Sequence, residues 1–81
     1  MSLHDEVMTT LRTIAPEIDP AAVDRARPLT EQLDLDSMDY QNLLAALSDQ
    51  FAIEIAAADV PKLRSIDDLA RYVETHRTRA P

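Results

Sequence analysis

The chain has 81 residues, a formal net charge of −7, no glycine and no cysteine. This length predicts a single domain over residues 1–81, and the hydrophobic content of 46% is that of a packed chain rather than of a disordered acidic tail. The absence of cysteine excludes disulfides, thiolate metal sites and cysteine nucleophiles. The absence of glycine excludes P-loops and dinucleotide-binding turns and argues against an all-β fold built on tight hairpins.

The negative charge is concentrated in the middle of the chain. Residues 28–61 contain seven carboxylates and no lysine or arginine, whereas residues 62–81 carry more basic than acidic side chains. An acidic segment repels a nucleic-acid backbone and attracts a basic protein surface. Charge alone leaves two interpretations open, a solvated surface that aids solubility and a docking face for a protein partner.

The sequence predicts neither a signal peptide nor a membrane span. The amino terminus is acidic and lacks an apolar core, and the longest uninterrupted apolar run covers only residues 43–47, far less than a bilayer requires. We therefore expect a cytoplasmic, monomeric protein.

The amino-terminal part of the chain predicts one helix followed by a long loop. Apolar residues recur at helical spacing at Leu3, Val7, Leu11 and Ile14. Ser2 is a suitable cap for this helix, and Pro16 ends it. Within the loop, Asp19 and Pro20 predict a single helical turn. Four apolar residues are expected to anchor the loop to the core: Val23, Leu29, Leu33 and Leu35.

The rest of the chain predicts two long helices separated by a short one. The central helix begins where the cap residue Asp36 is followed three positions later by Asp39, and its apolar face is dense: Leu43, Leu44, Leu47 and Phe51. A short helix over residues 56–60 is expected to end at Pro61. Ser65 then caps a final helix. The predicted fold is all-α, a small four-helix bundle with three longer helices, one short helix and a long first loop.

The final helix carries a regular pattern of charges. Asp67 and Arg71 have the spacing of an intrahelical ion pair. Arg77 and Arg79 lie near the carboxyl end of the helix, where the helix dipole favours cations.

No metal site or catalytic constellation is recognisable in the sequence. If residues 34–45 are aligned with a calcium loop, methionine, aspartate and alanine stand where an oxygen ligand, a glycine and a bidentate glutamate belong. His4 and His76 have no suitably spaced second ligand and are predicted to be surface residues. Ser37 has no base or oxyanion partner in the sequence. We therefore expect no catalytic residue, no bound metal and no enzyme activity.

Ser37 lies at the predicted start of the central helix. A phosphoester at this position would lie beside free backbone N–H groups and the positive end of the helix dipole. The simpler interpretation is a serine that only caps the helix. Composition and periodicity do not separate these two interpretations.

The segment around Ser37 resembles the acyl carrier protein family. Asp36-Ser37-Met38 is similar to the Asp-Ser-Leu signature of that family, and a leucine-rich helix that ends in Phe51 and the pair Glu54-Ile55 follow it. The similarity runs without gaps over about residues 33–73. The resemblance implies an acyl-carrier-like bundle and a carrier function.

In that family a transferase moves the 4′-phosphopantetheine arm of coenzyme A onto the motif serine, here Ser37, and the thiol of the arm then carries an acyl group as a thioester. The resemblance implies a stand-alone carrier for a fatty-acid, polyketide or specialised acyl-transfer pathway. Its implied partners are a phosphopantetheinyl transferase and acyl-transfer, synthase or ligase enzymes with basic docking patches. The implied docking residues are Asp36, Met38, Asp39, Asp49 and Glu54.

The sequence departs from the family pattern in three respects. Asp34 stands where the family often has glycine, and Met38 replaces leucine. The central helix has uncharged polar residues at predicted surface positions: Gln41, Asn42, Ser48 and Gln50. The lower acidity of the central helix favours a carrier dedicated to one secondary pathway over a housekeeping carrier. The alternatives are an aminoacyl or peptidyl carrier and an unmodified acidic helical adaptor that binds a basic protein surface.

Five alanines lie in or after the central helix: Ala45, Ala46, Ala56, Ala57 and Ala58. They favour either close packing of the helices or an expandable cleft for a long or bulky acyl chain.

Overall fold

The computed structural model describes residues 2–77, and every regular element in that range is helical. The elements in chain order are α1 (Leu3–Ile14), a 3-10 helix (Pro20–Ala22), α2 (Leu29–Gln32), α3 (Ser37–Phe51), a second 3-10 helix (Ala57–Lys62) and α4 (Ile66–Arg77). The predicted all-α fold with three long helices is confirmed. The four-residue helix α2 is an addition, because the sequence predicted a loop there.

Capping boxes set the amino ends of α1 and α4. The Ser2 hydroxyl accepts the Asp5 N–H at 3.2 Å, and the Asp5 carboxylate accepts the Ser2 N–H at 3.4 Å. Ser65 and Asp68 exchange the same pair of hydrogen bonds at the start of α4, at 3.1 and 3.3 Å. Each box pairs two donors that the first helical turn would otherwise leave free. The caps predicted at Ser2 and Ser65 are therefore confirmed.

The long loop between α1 and α3 is anchored by its apolar side chains. All four predicted anchors are buried or half-buried against the core: Val23, Leu29, Leu33 and Leu35. The helical turn predicted at Asp19 and Pro20 is the first 3-10 helix, whose Ala21 N–H is bound by the Asp19 carboxylate at 3.1 Å. The Leu29 N–H also donates to the Arg64 carbonyl at 2.7 Å, which ties the loop to the segment before α4.

The three long helices enclose one apolar core. Its fully buried large side chains come from these helices and from α2: Val7, Leu11, Leu29, Leu43, Leu47, Ile66, Leu69 and Val73. Burial of each such side chain stabilises the fold by roughly 1.5–3 kcal/mol, so this cluster fixes how α3 is rotated about its axis. Within residues 2–77, no helix has the combination of length and apolar character needed to cross a bilayer.

The second 3-10 helix differs from its prediction in both bounds. It covers Ala57–Lys62 and contains Pro61, which the sequence predicted as its end. Proline removes one N–H donor, and a short 3-10 segment loses little by this because it has few internal hydrogen bonds. At the carboxyl end of α4, Arg77 is in the last turn as predicted, whereas Arg79 lies outside the described residues.

The two histidines are half-buried and not the plain surface residues that were predicted. His4 Nε2 lies 2.9 Å from an Asp67 carboxylate oxygen, because α1 packs against α4. Asp67 therefore contacts another helix rather than Arg71, the partner that helical spacing predicted. His76 stacks on Tyr72 with a ring-centroid distance of 3.9 Å.

Helix α3 ends at a residue in the left-handed conformation. Ala52 has φ 53° and ψ 45°, and it is the one residue with positive φ in the described part of the chain. Glycine is the usual residue at such a helix end, because a Cβ atom destabilises this conformation by roughly 1–2 kcal/mol. Asp34 has no positive φ. The backbone therefore does not require the glycine that the related family often has at that position.

We predict that Ala52→Gly increases the free energy of unfolding by about 0.5–1 kcal/mol, because it removes the Cβ atom from a left-handed residue. The matched control is Ala45→Gly in the exposed interior of α3, which should decrease the same quantity by about 0.5–1 kcal/mol. Urea denaturation measures both. A decrease for Ala52→Gly would contradict the left-handed helix end.

Tyr40, one turn after the start of α3, has an unpaired hydroxyl. The residue is half-buried against the core, and the buried hydroxyl has no hydrogen-bond partner among residues 2–77. Burial disfavours the phenolate and raises the pKa of Tyr40 to about 12, with the Asp68 charge acting in the same direction and Arg64 opposing it. Because the folded chain holds this proton more tightly than the unfolded chain, this contribution to stability is present below pH 10 and is lost as the pH rises towards 12.

We predict that the Tyr72→Phe variant, in which Tyr40 is the sole tyrosine, shows a single tyrosinate titration with a midpoint near pH 12. Near-ultraviolet absorbance after rapid pH jumps measures the midpoint before the protein unfolds. A midpoint near 10, the ordinary value, would show that the Tyr40 hydroxyl is solvated.

Candidate functional site

The amino end of α3 presents Ser37 to solvent. Asp36 is the N-cap residue, and its Oδ1 accepts the Asp39 N–H at 2.8 Å. Ser37 is the first helical residue and is exposed, and its hydroxyl makes no hydrogen bond within the described part of the chain. The sequence left open whether Ser37 only caps the helix. In the structure Asp36 fills that role, and the Ser37 hydroxyl is free.

The surroundings of Ser37 fit a bulky phosphoester. The first turn of a helix has backbone N–H groups without intrahelical partners, and the helix dipole adds partial positive charge there. Asp36 and Asp39 place negative charge on the same turn, but these groups lie at the surface, where solvent and salt screen their repulsion. An exposed hydroxyl at this position is open to a modifying enzyme and leaves the apolar core undisturbed.

The five sequence-predicted docking residues form two groups. Three border Ser37: Asp36, Met38 and Asp39. Two lie at or beyond the far end of α3: Asp49 and Glu54. Met38 is 69% exposed, the one large apolar side chain so exposed within residues 2–77. A rise of about 1.5 Å per residue places Asp49 about 18 Å along the helix axis from Ser37, so the structure does not bring the two groups together.

A groove of about 320 Å³ separates α3 from the second 3-10 helix. Its apolar lining comes from Leu44, Ala45, Ile55 and Val60. Of the five alanines that suggested a cleft, Ala45 lines this groove, Ala46 is half-buried, and the three at positions 56–58 are exposed. Free space is therefore present where it was predicted, but it is bounded by larger side chains, both apolar and polar, and by only one of the alanines; the polar ones are Gln41, Ser48 and Glu54.

A second cavity, of about 230 Å³, lies beside the first turns of α3. Its lining residues are Thr30, Tyr40, Val60, Pro61, Leu63 and Arg64. Val60 also lines the larger groove, so the two spaces adjoin. Tyr40 was not among the sequence-predicted site residues. The signal that could have identified it is its position three residues after Ser37, which places both on one side of the helix.

The described residues contain no group of three or more His, Cys, Asp and Glu side chains arranged to hold a metal ion. Both histidines make intramolecular contacts, His4 with Asp67 and His76 with the Tyr72 ring and carbonyl. The chemistry of the site therefore rests on the free hydroxyl of Ser37 and on the two cavities beside α3.

Comparison with known proteins shows the family to which the chain is similar. A family model described as a phosphopantetheine attachment site matches residues 5–73. An acyl carrier protein of Chlamydia trachomatis is 31% identical over 77 residues, which cover 95% of this chain and 99% of that protein. An acyl carrier protein of Campylobacter concisus is 39% identical over 57 residues, 70% of this chain and 74% of that protein.

A solved structure shares the fold. The solution NMR structure of a holo acyl carrier protein from Geobacter metallireducens matches with a TM-score of 0.80 at 24% identity, covering 98% of this chain and 90% of that one. At this identity the match shows the helical architecture, and it confirms the predicted acyl-carrier-like bundle. With the family model and a relative aligned over nearly its full length, it follows that the chain belongs to the acyl carrier protein family, whose covalent cofactor is 4′-phosphopantetheine.

Proposed function

We propose that this chain is a stand-alone acyl carrier that holds 4′-phosphopantetheine on Ser37. The observation that carries the proposal is the exposed Ser37 hydroxyl, which is free of hydrogen bonds because Asp36 caps the helix. Ser37 also lies within the residues that the attachment-site model matches. The single apolar core supports one domain over residues 1–81. We also propose that this domain is monomeric and cytoplasmic.

Attachment uses chemistry that Ser37 can supply with an external transferase. The Ser37 Oγ forms a new bond to the phosphorus nearest the arm, the pyrophosphate bond of coenzyme A breaks, and adenosine 3′,5′-bisphosphate leaves. The serine proton passes to a base of the transferase. When bound, the arm provides the thiol for a thioester in a chain that has no cysteine. The chain itself needs no catalytic group, so we propose a carrier and not an enzyme.

The acidic side chains next to Ser37 suit docking on basic enzymes. Every enzyme that acts on the arm must approach the start of α3, where Asp36 is exposed and Met38 offers an apolar contact. Complementary charge accelerates encounter and selects among partners. Asp49 and Glu54 could contact a partner only if its footprint extended along the whole of α3.

The surface of α3 supports a carrier dedicated to one pathway. Gln41, Asn42 and Gln50 are exposed and uncharged, which lowers the charge that a general fatty-acid enzyme would meet. Ser48, predicted to be a surface residue, is instead half-buried, and its hydroxyl donates to the Ile53 carbonyl. Ser48 therefore holds the end of α3 in place and does not contribute to docking.

We predict that the wild-type protein gains the mass of one phosphopantetheine arm when incubated with coenzyme A and a broad-specificity phosphopantetheinyl transferase, and that Ser37→Ala gains none. Intact-protein mass spectrometry measures the change. The matched control is Ser2→Ala, which alters another exposed serine at a helix start and should still be modified. If the wild type remains unmodified, the acidic adaptor is the favoured function. If Ser37→Ala is modified, the arm is attached to another residue.

We predict that Asp36→Asn lowers kcat/KM of arm transfer about two- to fivefold at low salt, the effect of one exposed ion pair. Asparagine caps helices as well as aspartate does, so the substitution removes the charge and keeps the helix start. The control is Glu74→Gln, which removes the same charge from the exposed face of α4. Equal losses in both variants, or a loss that high salt does not abolish, would contradict local docking at Ser37.

A further inference from the structure

The cavity of about 230 Å³ beside the start of α3 combines apolar walls with two polar groups. Val60, Pro61 and Leu63 supply apolar surface, whereas Tyr40 and Arg64 supply hydrogen-bond donors. A closed cavity of about 150 Å³ already admits a benzene ring, so this space accommodates a segment of a carbon chain. A space lined in this way suits a mainly hydrocarbon ligand that carries an oxygen.

The Tyr40 hydroxyl lacks a partner. It is buried, and no group in the described part of the chain pairs with it. Nearly all buried polar side-chain atoms in folded proteins have a hydrogen-bond partner, so an unpaired one needs an explanation. Folding does not supply one, because a phenylalanine would fill the same volume without burying a hydroxyl.

Arg64 lines the same cavity and is exposed to solvent. Its guanidinium group makes no ion pair within residues 2–77, although its backbone N–H donates to the Asp68 carboxylate at 3.2 Å. Tyr40 and Arg64 line one cavity, so an oxygen acceptor that enters it lies beside both side chains.

We propose that Tyr40 is a specificity-determining residue that selects acyl cargo with an oxygen close to its thioester, such as a 3-oxoacyl chain, over plain hydrocarbon cargo. The proposal rests on the attachment of the arm to Ser37. Tyr40 lies one helical turn from Ser37 and lines the cavity, so an arm that folds back to this cavity places the thioester-proximal part of its cargo beside Tyr40. The apolar tail continues past Val60 into the adjoining groove.

The selectivity follows from what each cargo does to the buried hydroxyl. A 3-oxo oxygen accepts the Tyr40 hydrogen bond, and Arg64 offers further donors. A hydrocarbon chain in the same place leaves the hydroxyl unpaired and removes solvent from the guanidinium group. Sites that hydrogen-bond a ligand oxygen discriminate strongly against analogues that lack it, because their polar groups are then left unpaired.

The test loads wild type, Tyr40→Phe and Tyr72→Phe with octanoyl or 3-oxooctanoyl arms from the corresponding coenzyme A thioesters. The first readout is the rate of thioester cleavage by hydroxylamine, which falls when the bundle shelters the thioester. We expect Tyr40→Phe to increase the cleavage rate of the 3-oxooctanoyl form about two- to tenfold and to leave the octanoyl form unchanged. The cleavage rate of each cargo is compared between variants, so the different intrinsic reactivities of the two thioesters do not affect the result. Tyr72→Phe is the control for loss of a tyrosine hydroxyl outside the cavity; because that hydroxyl pairs with Asp59 of the second 3-10 helix, any change in cleavage rate that it causes should be the same for both cargoes.

The second readout is the ¹³C chemical shift of the tyrosine Cζ atom in Tyr72→Phe, where Tyr40 is the sole tyrosine. We expect a hydrogen-bond shift with the 3-oxooctanoyl arm and none with the octanoyl arm or with the arm alone. Equal shifts with the 3-oxooctanoyl arm, the octanoyl arm and the arm alone would show that the hydrogen-bond acceptor belongs to the arm, and would overturn the cargo selectivity. The selectivity would also be overturned if the ratio of the Tyr40→Phe cleavage rate to the wild-type rate were the same for the two cargoes. Intact mass is recorded first, so a failure of attachment at Ser37 is distinguished from a failure of selectivity.

The unloaded Tyr40→Phe variant provides a check on folding. Because the hydroxyl has no partner in the folded chain, its removal should leave the urea midpoint unchanged or raise it. A lower midpoint would show that the hydroxyl already serves the fold, and it would overturn the proposal.

Discussion

The hydrogen bond from the Asp39 backbone to the Asp36 carboxylate, 2.8 Å long, sets where α3 begins. The burial of Leu43 and Leu47 sets how the same helix is rotated against α1 and α4. Together these two constraints place Ser37 in the first turn, on the surface, with a hydroxyl that is not needed for capping. A reactive group that must reach several enzymes has to be both fixed in direction and accessible. The core fixes the direction of Ser37, and the Asp36 cap leaves its hydroxyl accessible.

Charge is distributed in keeping with that arrangement. The excess carboxylates lie between residues 28 and 61, on both sides of Ser37, and the basic residues cluster after residue 61. The structure divides the acidic residues further, because Asp36 and Asp39 border the site whereas Asp49 lies about 18 Å away along the helix axis. Electrostatic attraction at the attachment point is therefore local, and single substitutions there should act more strongly than substitutions at the far end of α3.

Features that depend on neighbouring residues could be predicted from the sequence. The caps at Ser2 and Ser65 and the turn at Asp19 follow from short-range hydrogen bonds that the residue types favour. Burial of the loop anchors could be predicted from their apolar character, but the specific partners of contacts between distant segments could not. Asp67 has a partner at the correct helical spacing, yet it contacts His4 because α1 packs there. The role of Ser37 was ambiguous for a related reason, since Asp36 and Ser37 are both good caps and only the backbone shows which one is used.

The same limit applied to Tyr40, whose burial depends on packing across the bundle and not on its neighbours in sequence. The account as a whole depends on Ser37 being the attachment point. Tandem mass spectrometry of peptides from the enzymatically loaded protein tests this most directly, because fragment ions locate the arm on one residue. The account predicts that the arm is found on Ser37 alone. An arm located on any other serine or threonine would contradict it.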